Sequence, residues 1–509
     1  MRLFVAVGVS MLLTMAFHEL GHDESQAWNI ARAATWPWDV VANGRVEGHT
    51  PFWHAMLWPA TLAGNPLLMQ LLGVALSLGA AFMLLRDRPF PLSCCALIAF
   101  GYYPFYQYGI FPRPYSLALF LSAAVASSLY TQRGSFVFRA LLCGLLAFTS
   151  AFGVAMSAGL MFLVITEALP GSWEGAGSNA KRLAPGLAIY ATLVALSCWL
   201  VLFPLGSTAM EIDIASGGRI GTVGFLHALQ SAFFPQFDRL PLGIGQWLYA
   251  SGAGRLVMAV ITYGCIAVFA LWLWPRPAAV IAWLLAVMGV GFAAMYSGFH
   301  AERYAGHLFL AGLAIVWAAP GLRIDAVLSR RFFGRPIARP TSGRFDARHR
   351  LLAAVAVGIL LYQAIINAAV SGLDIREVQS PWHQIARDLD QTIDGPFAVM
   401  TTFAYDAGAL IAYLDEPVYD IRCRCWARFT AWDRARVPST PEETRAQFCA
   451  LSREHGTVVA VVTRNRWQPQ EGVALIGEYK PGYRDSGDAD VQVFRNAEAG
   501  SPNICQASD

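Results

Sequence analysis

The chain is predicted to be an all-α polytopic membrane protein with a small α/β domain at its carboxy-terminal end. Two observations carry the first part. Hydrophobic residues make up 56% of the 509 positions and charged ones only 14%, far from the balance of a soluble protein. Apolar runs then recur at 3–17, 66–85, 91–109, 113–131, 136–152, 154–170, 183–203, 251–273, 277–296, 304–320 and 350–371, about eleven segments near the ~20 residues that cross a hydrocarbon core. The third observation is a change of character after residue 372, where the sequence turns polar with short apolar runs such as FAVM (397–400) and TVVAVV (457–462).

Arginine placement orients the segments. From an inside amino terminus, the inside connections hold Arg86 and Arg88, Arg133 and Arg139, Lys181 and Arg182, and Arg276. The last inside loop carries Arg323, Arg330, Arg331, Arg335, Arg339, Arg344, Arg348 and Arg350. An odd number of spans leaves the tail outside, so the expected division is 1–372 in the membrane, with a first outside loop at 18–65, and 373–509 as an extracytoplasmic α/β domain. In that domain helices are expected near 382–392, 406–414 and 441–454, and strands near 397–402 and 457–463. A cleaved signal peptide is disfavoured at the start, because no small-x-small site follows and Arg2 is its one positive residue. The net charge of +3 follows from these topogenic arginines and gives no reason to expect a nucleic-acid partner.

Cys94, Cys95, Cys143, Cys198 and Cys265 lie in apolar spans and read as packing residues. Cys423, Cys425, Cys449 and Cys505 lie in the outside domain, where disulfides are expected. Zinc is the rival for the CRC run, but its spacing is not that of a zinc knuckle and no His lies near.

Candidate chemistry gathers on the outer face. Directly after the first segment the chain reads HELGHDESQAWNIARA, placing Asp23 and Glu24 at a membrane–water boundary and at the head of an amphipathic helix. Acids there are costly unless solvated, paired or used; the plain alternative is complementing the helix dipole. A second interfacial helix is expected from Pro51, after His49. Arg113, with Tyr115 beside it, opens the fourth span and either snorkels or grips a phosphate. His300, Glu302, Arg303, Tyr304 and His307 crowd the outer end of a later span, suiting an anion or sugar site or an interfacial ion pair. Mid-span positions are nearly free of charge, which argues against an ion-coupled transporter.

In these elements the sequence resembles the GT-C membrane glycosyltransferases, in particular the protein O-mannosyltransferase-like and aminoarabinose-transferase-like group. The resemblance rests on Asp23-Glu24 after the first span, on His49-Thr50-Pro51-Phe52-Trp53 at the second interfacial helix, and on Arg113-Pro114-Tyr115-Ser116-Leu117 at the fourth span. These cover residues 1–135; the HAERY run (300–304) is a looser match. The resemblance implies a GT-C-like fold of about eleven spans and inverting transfer from a polyprenyl-phosphate sugar to a cell-envelope glycan, lipid or protein. Asp23 would be the general base, with Glu24 beside it. Arg113 and Arg303 would hold the leaving phosphate, and His49, Tyr115, His300, Glu302 and Tyr304 would line the site. It further implies a bacterial inner or plasma membrane, with site and tail on the outer side. Many members place an acid two residues before the fourth-span Arg; here that residue is Phe111, and the usual double proline is Thr50-Pro51. A divalent metal therefore has no clear second carboxylate to hold it, and the cofactor stays unassigned. Two other classes fit the same layout: a transporter or flippase of lipid-linked sugar, and an inactive scaffold subunit.

Overall fold

The computed structural model describes residues 1–44, 49–169, 176–202, 229–237, 239, 243–274, 276–297, 302–319, 347–377, 380–402, 407–430, 439–463, 473–480 and 491–496. Among the described residues the regular elements of its first part are all helices. α1 (Arg2–Phe17) is apolar and turns through 85° into α2 (His22–Arg32), the helix that carries Asp23 and Glu24. α2 begins where Gly21 donates its backbone N–H to the Glu24 carboxylate at 2.8 Å, half of a capping box. Two acids in its first turn and Arg32 in its last complement the helix dipole. α3 (Asp39–Gly44) and α4 (Phe52–Thr61) complete the first outer loop.

The bundle follows as α5 (Leu67–Asp87), α6 (Leu92–Ala99), a π-helix (Tyr102–Ile110), α7 (Pro114–Tyr130), α8 (Phe136–Ala147), α9 (Ala151–Ala168) and α10 (Ala176–Leu202). After these come α11 (Ile244–Ala250), α12 (Gly252–Leu273), α13 (Pro277–Ser297), α14 (Glu302–Ala318) and α15 (Ala347–Arg376). Among the described residues six helices are long and apolar enough to cross a membrane, seven if the bent α1–α2 pair counts as one span. The chain is thus a polytopic helical membrane protein. Helices stand at all eleven expected places, but several are short. The run expected at 136–152 stops at Ala147, because Ser150 caps the next helix by accepting the Gly153 N–H at 3.0 Å. The run expected at 91–109 breaks at Phe100–Gly101 into α6 and the π-helix, all nine of whose residues are buried.

The tail is an α/β unit with a six-stranded sheet in the order β3-β2-β1-β4-β6-β5. Its elements are α16 (Trp382–Thr392), β1 (Ala398–Thr401), α17 (Gly408–Leu414), β2 (Val418–Asp420), β3 (Cys425–Ala427), α18 (Pro441–His455), β4 (Val458–Thr463), β5 (Val473–Tyr479) and β6 (Val491–Asn496). β1 pairs in parallel with β2 and β4, while β3, β5 and β6 join antiparallel. Both faces of the central strands are covered. Val399, Val459 and Val461 pack under α16 and α17, and Ala398, Met400, Val458, Ala460 and Val462 pack with Phe448 and Leu451 of α18. This two-sided burial explains the unbroken apolar run at 457–462. Cys423 and Cys425 form a disulfide, and Cys449 is disulfide-bonded as well; Cys505 lies outside the described residues.

The tail unit lies directly on α2. The Gln26 side-chain amide pairs with the Thr430 backbone, donating to its carbonyl at 2.8 Å and accepting its N–H at 2.9 Å. Asn29 donates to the Gly408 carbonyl at 2.8 Å, and the Leu20 N–H donates to the Tyr413 hydroxyl at 3.1 Å. Arg32 forms an ion pair with Asp415. The helix bearing the acid pair is therefore held between membrane bundle and tail.

Candidate functional site

Asp23 and Glu24, adjacent in sequence, face different surroundings. Asp23 Oδ2 accepts a hydrogen bond from Arg113 Nη2 and lies 3.1 Å from Arg303 Nη2. Three charged groups separated by up to 280 positions thus meet at one point. Arg113 is the N-cap residue of α7, set by Pro114 at the first helical position. Arg303 stands in the first turn of α14, and the Tyr108 hydroxyl donates to its backbone carbonyl at 2.6 Å. Its guanidinium carbon lies 4.9 Å from the Tyr304 ring centroid, within cation–π range. Side-chain exposure of 27% for Asp23, 12% for Arg113 and 29% for Arg303 leaves the cluster partly enclosed yet open to a ligand.

Around these charges lies an aromatic wall. Tyr115 is fully buried; its hydroxyl is 3.4 Å from His49 Nε2, and its ring packs edge-on to His307 at 5.0 Å and Tyr304 at 6.1 Å. Tyr304 stacks on Phe152 at 4.8 Å. His54, in the first turn of α4, is buried, with His49 as an electrostatic neighbour. Burial pushes the His49 imidazole down to about 4, reinforced by the Arg113 charge and partly offset by Asp23. Burial, then the neighbouring His49, takes His54 down to about 3. Both rings are neutral at physiological pH and offer hydrogen-bonding nitrogens, not charge. Buried His49 Nδ1, His54 Nδ1, Arg113 Nε and Arg303 Nε have no hydrogen-bond partner among the described residues. Such groups are expensive unless a ligand or water meets them.

Glu24 turns the other way. It is fully buried, 3.1 Å from His18 Nε2. His18 Nδ1 lies 3.4 Å from Asp374 Oδ2, and the Tyr106 hydroxyl donates to Asp374 at 2.6 Å. Phe111, which occupies the position where the resembled pattern has an acid, packs edge-on against His18 at 4.6 Å between centroids.

The structure thus brings together Asp23, Arg113, Arg303, Tyr304, Tyr115 and His49, and sets Glu24 apart. His300 lies outside the described residues, and Glu302 is described only as the first residue of α14. Reading the sequence missed His18, His54, Tyr108 and Asp374. His18 stood in the quoted run before Asp23, but its partner is 356 positions away. Among the described residues no three His, Cys, Asp or Glu side chains gather so as to hold a metal ion.

No protein-family model and no curated protein sequence matches the chain. Two solved structures resemble it along almost the whole length. ArnT from Cupriavidus metallidurans bound to undecaprenyl phosphate aligns with a TM-score of 0.46 at 15% identity, covering 98% of each chain. ArnT from the same organism in the apo state aligns with a TM-score of 0.44 at 15% identity, covering 97% of each chain.

Proposed function

We propose that the chain is an inverting membrane glycosyltransferase that moves a sugar from a polyprenyl-phosphate donor to a hydroxyl of a cell-envelope glycan, lipid or protein. The observation that carries this reading is the convergence of Arg113 and Arg303 on the one carboxylate of Asp23. Two guanidinium groups against one carboxylate leave a net positive charge where a phosphate is to be held, and the guanidinium fork matches phosphate oxygens. In the reaction Asp23 accepts the proton of the acceptor hydroxyl as its oxygen bonds to the anomeric carbon. The bond from that carbon to the phosphate oxygen breaks on the opposite face, and its electron pair leaves on the polyprenyl phosphate. Arg113 and Arg303 move from Asp23 onto the phosphate and stabilise the charge that develops there. Neutral His49, with Tyr115 and Tyr304, offers hydrogen bonds and ring faces to the sugar.

The GT-C-like arrangement is read as about eleven spans in a bacterial inner membrane, with this site and the α/β unit from 373 onward on the extracytoplasmic side. The support is the distribution of arginines along the sequence and the docking of the tail on α2. To test the reading, the purified protein is incubated with polyprenyl-phosphate sugars and small hydroxyl acceptors. Release of polyprenyl phosphate with a product of inverted anomeric configuration is expected from the wild type. R113Q and R303Q should each lose about two to three orders of magnitude in kcat. Retention of configuration, or full turnover by both variants, would contradict it.

A further inference from the structure

Four chain segments meet at the corner between α1 and α2, just behind Asp23. His18 ends α1, Glu24 belongs to the first turn of α2, Tyr106 to the π-helix and Asp374 to the last turn of α15. The His18 side chain is fully enclosed, as are those of Glu24 and Asp374. Gln70 of α5 donates to the His18 carbonyl at 3.0 Å. Burying this many ionisable groups is costly, and removing one partner leaves a charge uncompensated. The arrangement does more than satisfy itself. Glu24 directly follows Asp23 and holds the Gly21 N–H, so whatever fixes Glu24 fixes the turn that aims Asp23. On its other side the cluster grips the frame that carries both arginines. Tyr106 and Tyr108 lie on one π-helix; Tyr108 binds the Arg303 carbonyl, and the helix ends three residues before Arg113.

We propose that His18 is a positioning residue for the transfer reaction: held between Glu24 and Asp374, it locks the turn bearing Asp23 to the frame bearing Arg113 and Arg303. This rests on the reading of Asp23 as general base. The groups facing the imidazole are Glu24 from α2, Asp374 from α15, and the rings of Tyr106 and Phe111; Tyr413 of the tail lies on the Glu24 side, with Glu19 next in sequence. Burial by itself lowers the His18 pKa, but the two carboxylates outweigh it and carry it up to about 9. His18 thus bridges as an imidazolium, with both ring N–H groups donating.

The test compares wild type, H18Q, and the paired variant H18Q/E24Q, in which a neutral amide pair replaces the ion pair and the new amide oxygen at position 24 still accepts the Gly21 N–H. Turnover is measured from roughly pH 6 to 10, with kcat and donor KM separated. The wild type is expected to lose kcat on the alkaline side near the His18 pKa of about 9. Both variants should show kcat lowered by about ten- to a hundredfold, the effect of ångström-scale misplacement, donor KM within about twofold, and no alkaline limb of this origin. A paired variant with wild-type kcat and the same limb would overturn the proposal. So would one that fails to fold, which would make the cluster purely structural. D23N separates the two levels. Normal turnover in D23N removes the base reading itself, whereas inactive D23N beside a fully active paired variant removes only the role of His18.

Discussion

Replacing Gln26 by alanine should loosen the contact between the tail and α2. In the native structure the Gln26 amide makes two hydrogen bonds to Thr430, at 2.8 and 2.9 Å, and both residues are almost completely buried. The substitution removes both bonds and leaves a buried backbone N–H and C=O without that partner. Each such loss costs about 1–3 kcal/mol; with some water entering the space, about 2–3 kcal/mol in total is expected. At about 1.4 kcal/mol per tenfold change, local opening of this contact becomes roughly 30- to 150-fold more frequent. Amide hydrogen exchange followed by mass spectrometry reads this directly, because exchange at such a site reports the free energy of local opening. Peptides covering 407–430 and 22–32 should exchange faster by that factor, while β4 should change little. If both peptides stay within about threefold of wild type, the Gln26 pairing does not hold the tail to α2, and the energetic argument fails.

Two further outcomes follow from the same geometry. A Cβ on Gly306 would run into the Tyr103 ring and the Tyr108 hydroxyl, so G306A should destabilise by about 1–3 kcal/mol and raise donor KM by displacing Arg303, one turn away; thermal unfolding and steady-state kinetics check both. Stability should depend on pH through three histidines with opposite signs. His49 and His54 fall below their ordinary 6.5, to about 4 and about 3, so below pH 6.5 the unfolded chain takes up protons that the folded one refuses, and stability drops as pH falls. His18 is raised to about 9; its contribution is complete below pH 6.5 and is lost as pH rises through 9. From these groups Tm is expected to peak near pH 6.5, and a Tm that rises steadily to pH 9 would contradict the assignment.

Much of this organisation was legible in the residues. Among the described residues an expected apolar run marked each of the six helices long and apolar enough to cross a membrane, and the tail's main helices and central strands stood where their periodicity put them. α18 starts on a capping box between Thr440 and Glu443 that closes at 3.1 and 3.2 Å. Four strands went unread, among them β6, whose buried Val491, Val493 and Phe494 are interspersed with Gln492, Arg495 and Asn496, so that no apolar run marks it. β2 and β3 span three residues each, too short for a period to appear. β5 is an edge strand in which only Tyr479 is buried, and its apolar run is cut short at Gly477. The convergence of Arg113 and Arg303 on Asp23 was open to inference because all three open helical elements that the arginine pattern assigns to the outer face. The parting of Asp23 from Glu24 was not. It depends on a histidine pairing with an aspartate 356 positions away, a contact made by tertiary packing and without local signature. The same holds for Gln26 and Asn29, polar residues of α2 that are buried against the tail.

If Asp23 takes the acceptor proton, D23N should slow transfer while leaving the donor bound. Asparagine keeps the size of the side chain and one oxygen toward Arg113 and Arg303 but cannot accept a proton in the neutral range. Single-turnover transfer from a labelled polyprenyl-phosphate sugar, measured alongside donor binding on the same folded protein, separates chemistry from affinity. D23N should bind donor about as tightly as wild type and transfer it slower by about two to four orders of magnitude. Transfer at near wild-type rate by well-folded D23N would contradict that role for Asp23.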